Sequence, residues 1–216
     1  MGKKLTFLIL PAVFCALIVL TFVCGNIFEV RFYKLGVYPR SFEGLAGVLF
    51  APLIHGDIEH LLSNLSALPV LTGLLTAVYR RNYFRIFTFL YFSTSLAVWF
   101  LGRESYHIGA SGIIYALASF LFFGGIISGR KGSSAVSLLT VMLYGSMVWG
   151  IFPLEEHVSW ESHALGAVAG FAAALAFVRE QPKKNPKDSD YDFFKGGFDG
   201  FSSTENYGKI SYEFKN

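Results

Sequence analysis

The sequence predicts an all-α membrane protein with six transmembrane helices, and three observations carry that expectation. First, 53% of the 216 residues are hydrophobic, 17% are aromatic and only 15% are charged, whereas an ordinary soluble domain is about 25% charged. With 23 Phe, the chain holds more apolar surface than a water-facing core of this size can hide. Second, six apolar runs are long enough to cross a hydrocarbon core of about 30 Å, which takes about 20 helical residues. Third, the basic residues fall almost entirely on one side of an alternating six-span path. The net charge of +3 is not a nucleic-acid signal, because no Lys/Arg cluster is interleaved with a folded polar segment able to present a binding face.

The first run covers residues 5–28. Lys3 and Lys4 precede it as they would a signal peptide, but it is too long for an ordinary signal core and has no clear small-x-small cleavage site, so it is counted as a span. Its Cys15 and Cys24 have no partner elsewhere and read as small apolar residues, not as a disulfide or metal site. Residues 29–59 do not span. Phe32, Tyr33, Tyr38, Phe42, Leu45 and Leu49 make this stretch too apolar for a free aqueous loop, and Gly36, Pro39, Gly44, Gly47 and Pro52 break it, so an interfacial structure or a cap on the bundle is expected.

The second run, 60–78, opens with His60 and Asn64, four residues apart and therefore on one helical face. Together they can aim two N–H donors at one point; taken alone, they read more readily as an interhelical hydrogen-bonding pair that only holds the bundle together. His55, Asp57 and Glu59 lie close by but do not form a zinc-binding spacing, and neither a metal nor a cofactor is expected. The third run is 83–101 and the fourth 110–128. The fourth opens with Gly109-Ala110-Ser111-Gly112, a small-residue word that suits either close helix packing or an exposed nucleophile with room around it for substrate backbone. Tyr115 shares the face of Ser111. The fifth run is 134–152, and the sixth, 160–178, starts with His163 followed by Gly166 and Gly170, a bare stripe for close helix contact. From Gln181 the chain turns polar and is expected to be disordered, giving a membrane domain at 1–179 and a tail at 180–216.

Lys3, Lys4, Arg80, Arg81, Arg85, Arg130, Lys131, Arg179 and the basic residues of the tail fall on one side of this path; Arg31, Lys34, Arg40 and Arg103 fall on the other. Both termini are therefore expected in the cytoplasm. On that orientation the second, fourth and sixth spans all run inward, and His60, Asn64, Ser111 and His163 lie within about the first five residues of theirs, a rise of about 7.5 Å. Scattered structural polar groups have no reason to agree in depth, whereas one site with a nucleophile, a base and two oxyanion donors does.

These residues resemble the rhomboid family of intramembrane serine proteases. The likeness covers the six spans and rests on Gly109, Ser111 and Gly112 in the fourth, His163, Gly166 and Gly170 in the sixth, and His60 with Asn64 in the second. Tyr38-Pro39-Arg40, Leu53-Ile54-His55-Gly56, and Gly102-Arg103-Glu104-Ser105 through His107-Ile108-Gly109 also read as rhomboid text, although the Trp-Arg pair many members carry in the first loop is replaced here by Tyr38-Pro39-Arg40-Ser41-Phe42. The resemblance implies a six-helix rhomboid-like bundle of the minimal bacterial form, with an interfacial first loop and no added domain or seventh helix. It also implies a Ser111–His163 dyad without an acidic third member, an oxyanion hole from His60, Asn64 and the Ser111 N–H, and Tyr115 stacked on His163. The expected activity is cleavage of transmembrane protein substrates near the outer interface, within the lipid bilayer of a bacterial inner membrane. Helices weakened by Gly or Pro should be preferred, because an intact helix hides its carbonyls. A neutral histidine base predicts activity falling as pH drops through roughly 6 to 7. A silent binder of transmembrane clients is the rival; a channel is disfavoured because the inner halves of the polar spans are apolar at Leu71, Leu75, Leu121, Phe122, Phe171 and Leu175.

Overall fold

The computed structural model describes residues 8–154 and 158–179. The expected tail at 180–216 and the beginning of the first run lie outside the described residues. Six helices among them are long and apolar enough to cross a membrane: α1 (Ile9–Ile27), α2 (Ile58–Val78), α3 (Tyr83–Leu101), α4 (Ser111–Ser128), α5 (Lys131–Tyr144, continued as a 3-10 helix over Gly145–Ile151) and α6 (Trp160–Arg179). No β-strand occurs among the described residues, so the fold is an all-helical membrane bundle, as the composition predicts.

Local chemistry sets the boundaries. Asp57 caps α2, its Oδ1 accepting the His60 N–H at 2.7 Å, which starts the helix two residues before the apolar run begins. Gly129, at φ +61°, closes α4 in the left-handed conformation that favours glycine. The fifth span departs most from expectation: it begins earlier, at Lys131, and tightens into 3-10 geometry after Tyr144. Gly145 and Gly150 weaken the α-helix there, and the main-chain carbonyls of Met147 and Gly150 are engaged by side chains from α4 and α6 instead.

The centre of the bundle is α4, which packs on α2, α3, α5 and most extensively on α6. The α4–α6 contact is close because side chains are absent: a Cβ on Gly166 would fall on the Gly112 carbonyl oxygen, and one on Gly170 on the Ala116 carbonyl oxygen. Leu68, Leu71, Leu75, Leu117, Phe120 and Leu121 fill the interior further along the helices, each at most 1% exposed. That apolar plug is the arrangement the sequence favours over a pore. By contrast α1 and α5 are peripheral and leave most of their apolar surface outward, as helices in contact with lipid do.

The segment between α1 and α2 folds as short helical turns at Phe32–Leu35, Glu43–Ala46, Gly47–Phe50 and Ala51–Leu53. It packs on the bundle through main-chain links from Val37 to His107, Arg40 to Trp99 and Ala51 to Gly109, and through the Tyr91 hydroxyl, which donates to the Leu49 carbonyl. Phe42, 90% exposed, and Leu45, Leu49 and Phe50 point away from the core. Arg40 ties the first loop to the α3–α4 loop, its guanidinium donating to the Gly102 carbonyl at 2.9 Å.

Candidate active site

Ser111 is the first residue of α4 and His163 lies in the first turn of α6, and the glycine contact brings these two helix starts side by side. His163 Nε2 is 2.9 Å from Ser111 Oγ. His163 Nδ1 is 2.8 Å from the carbonyl oxygen of Gly150. A carbonyl only accepts, so Nδ1 carries the proton and Nε2 presents its lone pair to the serine hydroxyl. The imidazole stacks on Tyr115, ring centroids 4.2 Å apart and planes 9° apart, and the Tyr115 hydroxyl donates to the Met147 carbonyl at 2.7 Å. His163 is buried, whereas Ser111 and Tyr115 are half-buried.

The loop before α4 passes Gly109 against α2. Gly109 has φ +104°, and a Cβ there would meet His60 Nε2 at 2.5 Å and Asn64 Nδ2 at 3.8 Å. Both donors expected from the sequence therefore face the slot beside Gly109. One N–H of Asn64 also donates to the His60 carbonyl at 3.0 Å, which holds the amide in place. The His55 ring lies 4.8 Å from that of His60, and burial together with the His60 charge pushes its pKa down to about 4. Among the described residues, no group of three or more His, Cys, Asp or Glu is arranged to hold a metal ion.

All six residues singled out from the sequence, His60, Asn64, Gly109, Ser111, Tyr115 and His163, thus fall at one end of α2, α4 and α6. Sequence reasoning missed the groups that hold them: Asp57 at the start of α2, the carbonyls of Met147 and Gly150, and a polar network from the α3–α4 loop to the start of α6. Asp57 left a readable signal, an Asp three residues before His60 at the head of an apolar run, and Arg103 and His107 lie in a word that reads as rhomboid text, though nothing in it gives their partners.

By fold the chain belongs to the class of multi-span helical membrane bundles, here with a serine and a histidine in contact near one end. Residues 43–180 match the family model described as the Rhomboid domain, and the chain belongs to the rhomboid family, a family of intramembrane proteases. It is 31% identical over 179 residues to the uncharacterized proteins Mb1372 of Mycobacterium bovis and Rv1337 of Mycobacterium tuberculosis, covering 79% of this chain and 75% of each relative. It is 27% identical over 157 residues to the uncharacterized protein ML1171 of Mycobacterium leprae, covering 68% of this chain and 62% of that protein.

Proposed function

We propose that this protein is an intramembrane serine endopeptidase in which Ser111 is the nucleophile and His163 the general base. The observation that carries the reading is the 2.9 Å contact of His163 Nε2 with Ser111 Oγ, in a ring whose other nitrogen is committed to Gly150. As Ser111 Oγ attacks a substrate carbonyl, its proton passes to Nε2; the leaving amine then takes that proton, and water, activated by the same nitrogen, releases the acyl group. His60, Asn64 and the Ser111 N–H supply donors for the oxyanion, in a slot left open by Gly109. The Gly150 carbonyl does the orienting that an acidic third residue does in other serine hydrolases.

The substrates are transmembrane segments of other membrane proteins, cut close to the face on which α2, α4 and α6 begin. The asymmetry of basic residues supports placing that face outside and both termini in the cytoplasm, in a bacterial inner membrane. The decisive experiment incubates detergent-purified protein with a single-span model substrate and compares Ser111→Ala and His163→Ala. Both variants are expected to lose at least about 10³-fold in cleavage rate with unchanged thermal unfolding. No cleavage of several substrates by the native chain, together with no labelling of Ser111 by a fluorophosphonate, overturns the protease reading in favour of a silent binder of transmembrane clients.

A further inference from the structure

The contact between Ser111 and His163 is bracketed along the α4–α6 seam. On one side lie the glycine contacts of Gly166 with Gly112 and of Gly170 with Ala116. On the other, polar links join the α3–α4 loop to the start of α6. His107 Nδ1 is 2.5 Å from Ser159 Oγ, and Ser159 Oγ is 2.6 Å from Ser162 Oγ. His107 Nε2 is 3.0 Å from the Arg103 carbonyl oxygen, which fixes the proton on Nε2 and makes Nδ1 the acceptor of a neutral ring. Ser159 therefore donates to His107 and accepts from Ser162. Burial lowers the His107 pKa and favours that neutral form. Alongside, Arg103 donates to the Val158 carbonyl at 3.0 Å and pairs with Glu161 at 3.4 Å.

The placement of these groups gives them a direct hold on the reacting pair. His107 is followed by Ile108, Gly109, Ala110 and Ser111, so the loop it pins ends in the nucleophile. Ser159 immediately precedes α6, where a serine hydroxyl ordinarily serves the N–H groups of its own helix. Here the hydroxyl is turned to His107, 52 positions away in the chain, while the Ser159 carbonyl accepts the Ser162 and His163 N–H groups at 3.0 and 3.4 Å. A displacement of Ser159 is thus passed to the backbone of His163.

We propose that His107 and Ser159 are positioning residues for the Ser111–His163 pair, clamping the loop that ends in the nucleophile to the helix turn that carries the base. The inference rests on the protease reading above. Its test uses the full chain in detergent with a single-span substrate and three single variants. His107→Gln keeps a donor near the Nε2 position and loses the acceptor for Ser159; Ser159→Ala removes the other end of that bond; His107→Asn keeps an acceptor near the Nδ1 position.

His107→Gln and Ser159→Ala are expected to lower kcat by about 10- to 100-fold with KM changed less than about threefold. The double variant is expected to be no worse than either single one, and His107→Asn to recover to within about threefold of the native kcat. In parallel, nitrogen NMR of histidine-labelled protein, with the His163 signals assigned by their loss in His163→Ala, should show them displaced in His107→Gln and Ser159→Ala and restored in His107→Asn. Native kcat in His107→Gln or Ser159→Ala, additive losses in the double variant, or unmoved His163 signals would each overturn the clamp. A native chain that cuts nothing defeats the protease reading alone, since the His163 signals still decide whether the clamp sets the pair's geometry.

Discussion

At Gly109 the backbone takes φ +104° and its missing side chain is the space into which His60 Nε2 and Asn64 Nδ2 project. Gly109→Ala imposes two costs, a backbone conformation L residues avoid and a Cβ inside contact distance of an imidazole, so a loss of about 1–3 kcal/mol is expected. Cleavage should fall more steeply than stability, because relief of the clash moves His60 away from the developing oxyanion; thermal unfolding and kcat on the same preparation check this. His55 makes a second prediction. Its unfolded pKa is near 6.5 and its folded pKa about 4, so it is neutral in both states above about 6.5 and its burial is then free of a charge penalty. As pH falls through that window the unfolded chain takes up a proton the folded chain refuses, and stability declines by up to roughly 3 kcal/mol before levelling below about 4. His107, also lowered by burial, adds to the same slope. Unfolding in detergent across pH 4 to 7 should show the decline, and His55→Asn should make it shallower, leaving the part due to His107.

Two helix glycines look alike in sequence and differ in what surrounds them. Gly166 on α6 is pressed against the Gly112 carbonyl of α4, whereas a Cβ on Gly73 of α2 would meet nothing within 4 Å. Gly166→Ala is expected to lower Tm by more than about 4 °C through overpacking, and Gly73→Ala to raise it by about 2 °C through helix propensity. Differential scanning fluorimetry of the pair separates close packing from mere helix composition. The same contrast explains what could be read in advance. Apolar length and caps are local, so the third span is Tyr83–Leu101 as expected, and the starts of the second and fourth spans fall within two residues of expectation. The 3-10 turn of the fifth span was not legible, because it answers to Tyr115 and His163, side chains from elsewhere in the chain. Likewise the chemistry-bearing letters Ser111, His163, His60 and Asn64 could be picked out by type and depth. His107 stands in a word that reads as rhomboid text, but its bond to Ser159, 52 positions away, exists only in the folded chain.

For the molecule as a whole, the proposed orientation is itself open to test. With Cys15 and Cys24 replaced by Ala, a cysteine introduced by Phe42→Cys should react with a membrane-impermeant maleimide in intact cells, and one introduced by Arg81→Cys only after permeabilisation; the reverse pattern inverts the topology and puts the site on the cytoplasmic face. Both substituted positions are exposed and stand on opposite sides of the bundle's path. The carbonyl of Gly150 carries a different kind of consequence. The group that fixes the proton on His163 belongs to the peptide chain itself, so it has no codon of its own and no side-chain replacement deletes it. Two descendants of a common ancestor can spell every active-site letter identically and still differ in competence, if drift in the lightly packed fifth span lets that carbonyl wander. Heredity here guards a path through space, and an inventory of letters cannot by itself sort working members of the family from retired ones.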